Sequence, residues 1–170
     1  MIVAGFDLSS RKMAVVWSSV EDDEDLIINW HETHWSTSAV SGRPYAQRCL
    51  NMKNAVEEWL SMVGPDQEIS SFIESPFIHP KRPSGAMSTI MTSGAAQATL
   101  KSAGSDVRLV EVAKWKKSIV GNGNASKAQI AAHLINEIGV TDGLTDDQDL
   151  TDAACVFLWG IKTLESEGRM

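Results

Sequence analysis

The stretch IVAGFDLSSRKMAVVWS, residues 2–18, decides the fold. Its two apolar runs, Ile2–Leu8 and Met13–Ser18, have the composition of strands, and a short polar stretch joins them. A third strand is predicted over Leu26–Trp35, after an acidic loop. Three consecutive strands with brief connections predict an antiparallel meander.

The rest of the chain alternates helical and strand patterns. Apolar residues at helical spacing predict a helix over residues 44–62, which Gly64 and Pro65 end. The further predicted elements are a strand at Ser70–Glu74, a helix rich in small residues at Ser84–Ala103, a strand at Val107–Val112, and helices at Lys114–Ile119, from Ser126 to Ile138 and from Asp149 onward. This order predicts one α/β domain over residues 1–170, with helices flanking a mixed five-stranded sheet.

Composition is that of a globular protein. The 170 residues are 43% hydrophobic and 22% charged, and no apolar run approaches the roughly 18 residues that a membrane span requires. The N-terminal segment has no basic leader, so we expect no secretion. Cys49 and Cys155 are expected to be reduced thiols, and they have no zinc-ligand spacing.

The formal net charge of −7 argues against indiscriminate nucleic-acid binding. Acidic runs at residues 21–25 and 142–149 supply much of it, and the first indicates a solvated loop. Basic residues cluster elsewhere, at Arg11–Lys12, Lys81–Arg82, Lys114 with Lys116 and Lys117, and Lys127. If these clusters share a face, the molecule is dipolar and one side can grip phosphates.

Four acidic residues lie where a metal-dependent nuclease needs them. Asp7 closes the first apolar run, and Glu74 closes the short fourth strand. Asp149 and Asp152 lie one helical turn apart at the start of the last helix. Carboxylates at the ends of two buried strands, facing a pair on a helix N-terminus, can hold two hard divalent cations against a phosphodiester.

Each acid also has a plainer interpretation. Asp7 alone fits a turn at a strand end, and Asp149 with Asp152 fits simple stabilisation of a helix N-terminus. Asp146 and Asp147 compete with that pair both as caps and as ligands. Glu74 is harder to explain without a cation, because burying an unpaired carboxylate is costly. Together the four acids favour a metal site.

A second signal is the segment KKSIVGNGNASK, residues 116–127. Its Gly121–Asn124 turn exposes backbone N–H groups just before a helix N-terminus, which is a ready anion site. Lys116 and Lys127 flank this turn, although a capped helix with solvated lysines is the alternative. The spacing is neither that of a phosphate-binding loop nor that of a dinucleotide fingerprint.

Phe77 follows Glu74 in a proline-bounded loop that also carries Lys81 and Arg82. An aromatic ring beside basic residues can stack on an unpaired base, which is worth roughly 1–3 kcal/mol per base. Burial of Phe77 in the core is the alternative.

These residues, in this order, resemble the RuvC family of Holliday-junction resolvases, which have the RNase H-like fold. The resemblance covers nearly the whole chain and rests on four segments: GFDLSSR (5–11), IESPF (73–77), residues 116–127 and DLTDA (149–153). It implies that Asp7, Glu74, Asp149 and Asp152 bind two Mg²⁺ ions, with Mn²⁺ as a substitute. The implied activity is an endonuclease that resolves four-way junctions by paired symmetric nicks, leaving 5′-phosphate and 3′-hydroxyl ends.

The resemblance also implies DNA contacts. Lys116 and Lys127 match the two functional lysines of the family, and Lys127 would neutralise charge that develops at the phosphate. Phe77 matches the loop aromatic that stacks on a junction base. Further candidate contacts are basic: Lys81, Arg82 and Arg11.

A homodimer is implied as well, because two symmetric nicks need two active sites, and Ser84–Ala103 is the candidate interface. The implied location is the bacterial cytoplasm, without a membrane. Asp7-Leu8-Ser9-Ser10 stands where the family usually has Asp-Pro-Gly-Ser, and such drift would fit a phage product. The rivals are a broader flap endonuclease, an RNase H-like hybrid nuclease, an actin-like ATPase, which needs a longer chain, and a non-catalytic junction-binding module.

Overall fold

The computed structural model describes residues 1–20, 27–35, 45–76, 83–138 and 144–170. The elements in these segments are β1 (Ile2–Leu8), β2 (Lys12–Ser19), β3 (Asn29–His34), α1 (Tyr45–Val63), β4 (Ile69–Glu74), α2 (Pro83–Ser102), β5 (Asp106–Val110), α3 (Val112–Val120), α4 (Lys127–Ile138) and α5 (Gln148–Ser166). Among these helices, none is both long and apolar enough to cross a membrane.

The strands form a single mixed sheet in the order β3-β2-β1-β4-β5. The β1–β2 and β2–β3 pairs are antiparallel, whereas the β1–β4 and β4–β5 pairs are parallel. The predicted meander and the predicted mixed five-stranded sheet are therefore confirmed. Phe6 lies opposite Ile73 in the β1–β4 pair, so Asp7 and Glu74 come next on neighbouring strands at the same edge.

Helices pack on both faces of the sheet because its central strands bury side chains on both sides. One face, which includes Phe6, packs on α1 and α2 around the buried ring of Trp59. The other face, which includes Val3 and Phe72, packs on α3, α4 and α5. Side chains alternate along a strand, so Asp7 shares the face of Val3 and lies under α5.

Helix α5 crosses β1 at backbone contact distance. A Cβ atom at Gly5 would lie 2.5 Å from the carbonyl oxygen of Ala153 and 2.6 Å from Cα of Phe157. A Cβ atom at Gly160 would lie 2.7 Å from Cε2 of Phe72. Both glycines are needed for this close approach, which sets how near the first turns of α5 come to the end of β1.

Two predicted strand boundaries are wrong. The strand predicted over Val107–Val112 ends at Val110, because Glu111 is the extended N-cap of α3 and Val112 already belongs to that helix. The strand predicted over Leu26–Trp35 is narrower, because its pairing with β2 runs only over Asn29–His34. Leu26 itself lies outside the described residues.

Helix α4 begins with a reciprocal capping arrangement. The backbone N–H of Ser126 donates to the side-chain oxygen of Gln129 at 2.9 Å, and the Gln129 N–H donates to the Ser126 hydroxyl at 3.4 Å. The predicted cap at Ser126 is confirmed, and it fixes Lys127 as the first residue of the helix. The predicted free thiols are confirmed too, since Cys155 is buried and Cys49 half-buried without a disulfide.

Candidate active site

The four predicted acids converge at the carboxyl-terminal edge of β1 and β4. Asp7 and Glu74 end these strands on the face that α5 covers, and the first turns of α5 carry Asp149 and Asp152. Burial raises the pKa of Asp7 well above its usual range, and the charges of the other three acids raise it further. The structure therefore brings all four carboxyl groups into one electrostatic cluster.

Two further carboxyl groups of this cluster have raised pKa values. Burial raises the pKa of Glu74 to about 7, although a hydrogen bond from Trp115 works in the opposite direction. Burial also raises the pKa of Asp152, whose Oδ1 accepts a 2.8 Å hydrogen bond from the Gln148 side chain. Crowded, buried carboxyl groups whose pKa values rise together indicate a site that is short of positive charge.

The donor set suits hard divalent cations, which prefer carboxylate oxygens. Within the described ranges, no three acidic, imidazole or thiol side chains stand close enough together to enclose a single ion. The costly burial of Asp7 among three other acids is the feature that points to a cation.

Lys116 and Lys127 lie beside the acids. Lys116 is on α3, and its ammonium donates to the carbonyl of Ala125 at 3.3 Å. Against the effect of burial, the charges of both lysines lower the pKa of Asp152, so both lie near this carboxyl group. Helix α3 ends at Val120, and the left-handed C-cap Gly121, with a φ of 79°, turns the chain toward α4.

Lys12 is a buried cation that the sequence interpretation missed. Its side chain is 7% exposed, and its Nζ lies 2.6 Å from Asp147, 2.9 Å from Glu32 and 3.5 Å from Asp149. Strand alternation could have predicted the burial of Lys12, because it puts this residue on the same face of β2 as the buried Ala14. Lys12 ties the first turn of α5 to β2 and β3.

Of the acids at the start of α5, Asp147 is the one that caps the helix. Its Oδ1 accepts the backbone N–H groups of Asp149 at 2.8 Å and Leu150 at 3.1 Å, whereas Asp146 is exposed. The cap is therefore Asp147. The carboxylates of Asp149 and Asp152 take no part in capping.

The other predicted DNA contacts are placed only in part. Arg11 is exposed in the turn between β1 and β2, where its backbone N–H donates to the hydroxyl of Ser9. Phe77, Lys81 and Arg82 lie outside the described residues.

Comparison with known proteins gives a family match. The family model for the crossover junction endodeoxyribonuclease RuvC matches residues 35–158. No curated protein sequence matches this chain significantly.

Three solved structures share the fold. A RuvC structure from Thermus thermophilus aligns with a TM-score of 0.74 at 20% identity, covering 99% of this chain and 98% of that one. Thermus thermophilus RuvC in complex with a Holliday junction substrate gives 0.73 at 18% identity, with the same coverage. The Holliday junction resolvase of fowlpox virus gives 0.56 at 14% identity, covering 98% of this chain and 99% of that one. These likenesses confirm the RNase H-like fold.

Proposed function

This chain belongs to the RuvC family of crossover junction endodeoxyribonucleases, and on that basis we propose that it resolves four-way DNA junctions by paired symmetric nicks. The chain would act as a single nuclease domain over residues 1–170. The observation that carries the proposal is the cluster of four carboxyl groups at the carboxyl edge of β1 and β4, beside two lysines. Enzymes of this family are metal-dependent nucleases.

The metal ligands in this proposal are Asp7, Glu74, Asp149 and Asp152, which would hold two Mg²⁺ ions or, in their place, Mn²⁺. Bound divalent cations would supply an activated water nucleophile and Lewis-acid stabilisation of phosphate oxygens. Asp7 would have the central role, because it is deeply buried at the end of β1 and the charges of all three other acids act on it. Lys12 restrains Asp149 from the side and partly offsets the negative charge of the cluster.

The two lysines would act on the DNA phosphate. Lys127 would neutralise the charge that develops on the phosphate during attack, because a cation aimed at the reacting oxygens stabilises such charge. Lys116 would hold the strand beside the acids. Both ammonium groups lower the pKa of Asp152, which supports their placement on the side of the acids that would face the phosphate.

Junction recognition would extend beyond the acids. Arg11, which is exposed at the same edge of the sheet, would contact a backbone phosphate. Phe77 would stack on a base at the branch point, and Lys81 and Arg82 would contact flanking phosphates. These three assignments rest on the sequence.

A homodimer would supply the two active sites that paired nicks require. The proposed interface is α2 with the adjacent part of α1. An open groove of about 590 Å³ runs between these helices. Small side chains such as Ala95 and Ala98 line its α2 side, and the half-exposed Leu50 and the ion pair of Lys53 with Glu57 line its α1 side. The small residues of α2 would allow a second copy of the chain to pack closely.

The test of function is cleavage of four end-labelled substrates in Mg²⁺: a synthetic four-way junction, a flap, a linear duplex and an RNA–DNA hybrid. We expect paired symmetric nicks in the junction alone. Equal cutting of flaps would widen the substrate class to branched DNA, and hybrid-only cleavage would indicate a ribonuclease. Tight junction binding without cleavage in Mg²⁺ or Mn²⁺ would indicate a junction-binding module and contradict the proposal.

A further inference from the structure

Trp115 joins two groups of the site that lie on different elements. Its fully buried indole (0% exposed) belongs to α3, and Nε1 donates a 2.9 Å hydrogen bond to Oε2 of Glu74 on β4. The Nζ atom of Lys116 lies 5.5 Å from the centroid of the same ring. A single rigid side chain therefore contacts both a proposed metal ligand and a proposed phosphate-binding lysine.

The shape of a carboxylate explains what this hydrogen bond does. A carboxylate turns about its last bond, so a donor fixed on Oε2 of Glu74 sets the direction in which the other oxygen points. The indole of Trp115 is enclosed in the core and cannot follow the carboxylate, so it holds Glu74 in one orientation. Removing a donor of this kind typically weakens metal binding about 10- to 100-fold.

Trp59 shows that burial alone does not produce such a contact. It is also fully buried, in the core between the sheet and α1. Its Nε1 nevertheless has no hydrogen-bond partner among the described residues. The two tryptophans are thus equally enclosed, and only Trp115 directs its donor to an acid of the site.

We propose that Trp115 is a positioning residue that fixes the orientation of Glu74 toward a divalent cation and keeps Lys116 beside the phosphate to be cleaved. The inference rests on the proposed function for the roles of Glu74 and Lys116. Trp115 is fully buried and acts through Glu74, so it governs how well the site is assembled around the cation.

The test compares Trp115→Phe with Trp59→Phe, because each removes a buried indole and only the first removes a donor to Glu74. Isothermal titration calorimetry with Mn²⁺ alone measures metal affinity without turnover. We expect Trp115→Phe to weaken Mn²⁺ binding about 10- to 100-fold and Trp59→Phe to leave it unchanged. In junction cleavage, the Mn²⁺ concentration at half-maximal rate should rise by the same factor, whereas the rate at saturating Mn²⁺ should fall much less.

A double-mutant cycle separates a positioning role from a general structural one. Trp115→Phe should cause no further loss of Mn²⁺ affinity in a Glu74→Gln background, because the indole acts through that carboxylate. An additive loss there, or equal Mn²⁺ affinities of Trp115→Phe and Trp59→Phe, would overturn the proposal.

A measurement on the unsubstituted protein covers the case in which Trp115→Phe does not fold. The indole N–H resonance of Trp115 should shift when Mg²⁺ is added, while that of Trp59 should not. A Trp115 resonance that ignores Mg²⁺ would overturn the positioning role. A protein that binds Mn²⁺ with the expected dependence on Trp115 but cuts no DNA would contradict the proposed nuclease and support the positioning of Glu74.

Discussion

Asp7 is buried more deeply than Glu74 and Asp152, the other acids of the cluster with raised pKa values. Burial and three neighbouring acids raise its pKa, so a neutral amide of the same shape fits this position well. We predict that Asp7→Asn folds and binds junctions but cleaves them at least about a thousandfold more slowly, because metal-dependent stabilisation of the transition state is worth several kcal/mol. Single-turnover cleavage of a labelled junction measures the loss.

Asp66→Asn is the matched control for that substitution. Asp66 is exposed and has a φ of 69°, a left-handed conformation that asparagine tolerates well. It should cleave like the unsubstituted protein. Normal cleavage by Asp7→Asn would remove Asp7 from the active site.

The raised pKa of Glu74 makes the stability of the metal-free protein depend on pH, which can be measured in a metal-chelating buffer. Its pKa is about 7 in the folded protein and ordinarily 4.5, so between these pH values the folded state holds a proton that the unfolded chain has released. Its contribution to stability is present below pH 4.5 and is lost as the pH rises through about 7. We predict that Tm falls between about pH 5 and pH 8 and that Glu74→Gln flattens this fall, with each kcal/mol shifting Tm by about 2–4 °C.

Glu58→Gln, an exposed substitution on α1, is the control for the pH profile. It should keep the full fall in Tm. Part of the fall should also survive in Glu74→Gln, because burial raises the pKa values of Asp7 and Asp152 in the same direction. Superimposable profiles of the two glutamine variants would count against the buried, protonated Glu74.

Sequence patterns predicted that the four acids would lie together, but they did not reveal the side chains that bind these acids, Trp115 and Lys12. The acids are visible because strand ends and a helix start can be read from local periodicity. Trp115 contacts Glu74 across 41 residues, a contact that arises only when α3 packs against β4. Side-chain alternation in β2 could have predicted that Lys12 faces α5. Its pairing with Asp147 could not be predicted, because Asp147 lies at the start of α5, far away in the sequence.

The close packing of α5 on β1 brings Asp149 and Asp152, the two acids of α5, to Asp7 at the end of β1. A Cβ atom at Gly5 would meet the backbone of Ala153, so Gly5→Ala must push α5 outward. We predict that this lowers the free energy of unfolding by about 1–3 kcal/mol and slows cleavage, because the two acids on α5 move away from Asp7. Urea unfolding and junction cleavage measure the two effects.

The same substitution within α2 should act in the opposite direction. A Cβ atom at Gly94 would meet no other described atom within 4 Å, so Gly94→Ala should stabilise the protein by about 1 kcal/mol through helix propensity. Equal unfolding free energies for the two alanine variants would show that α5 does not approach β1 as closely as the structure indicates.

The sequence was informative about elements because strand alternation and helical spacing are local properties. The sequence was less informative about the residues at which one element ends and the next begins. β5 ends at Val110 and Glu111 already occupies the N-cap position of α3, so the predicted strand extended two residues too far. Several adjacent acids were equally suited to cap α5, and only the backbone geometry selects Asp147.

At the scale of the whole molecule, the proposed dimer can be tested at the groove between α1 and α2. Ala98 is exposed in this groove, and Ala98→Glu would put a charge into a close helix contact. We predict that the unsubstituted protein sediments as a dimer and that Ala98→Glu shifts it to a monomer, because an unpaired buried charge is costly.

Ala132→Glu, an equivalent change on the exposed side of α4, is the control for the dimer. It should sediment like the unsubstituted protein. A dimer that persists in Ala98→Glu would place the interface elsewhere. Such contacts depend on a second molecule, so neither the sequence pattern nor the fold of a single chain determines them.

Junction resolution by paired nicks can be tested with a supercoiled plasmid that extrudes a cruciform, which presents a four-way junction in a closed circle. Two symmetric nicks made in one encounter convert this plasmid directly to a linear product. We expect linear DNA in Mg²⁺ from the unsubstituted protein and none from Asp7→Asn. Accumulation of nicked circles alone, or an uncut plasmid despite tight junction binding, would contradict junction resolution by this protein.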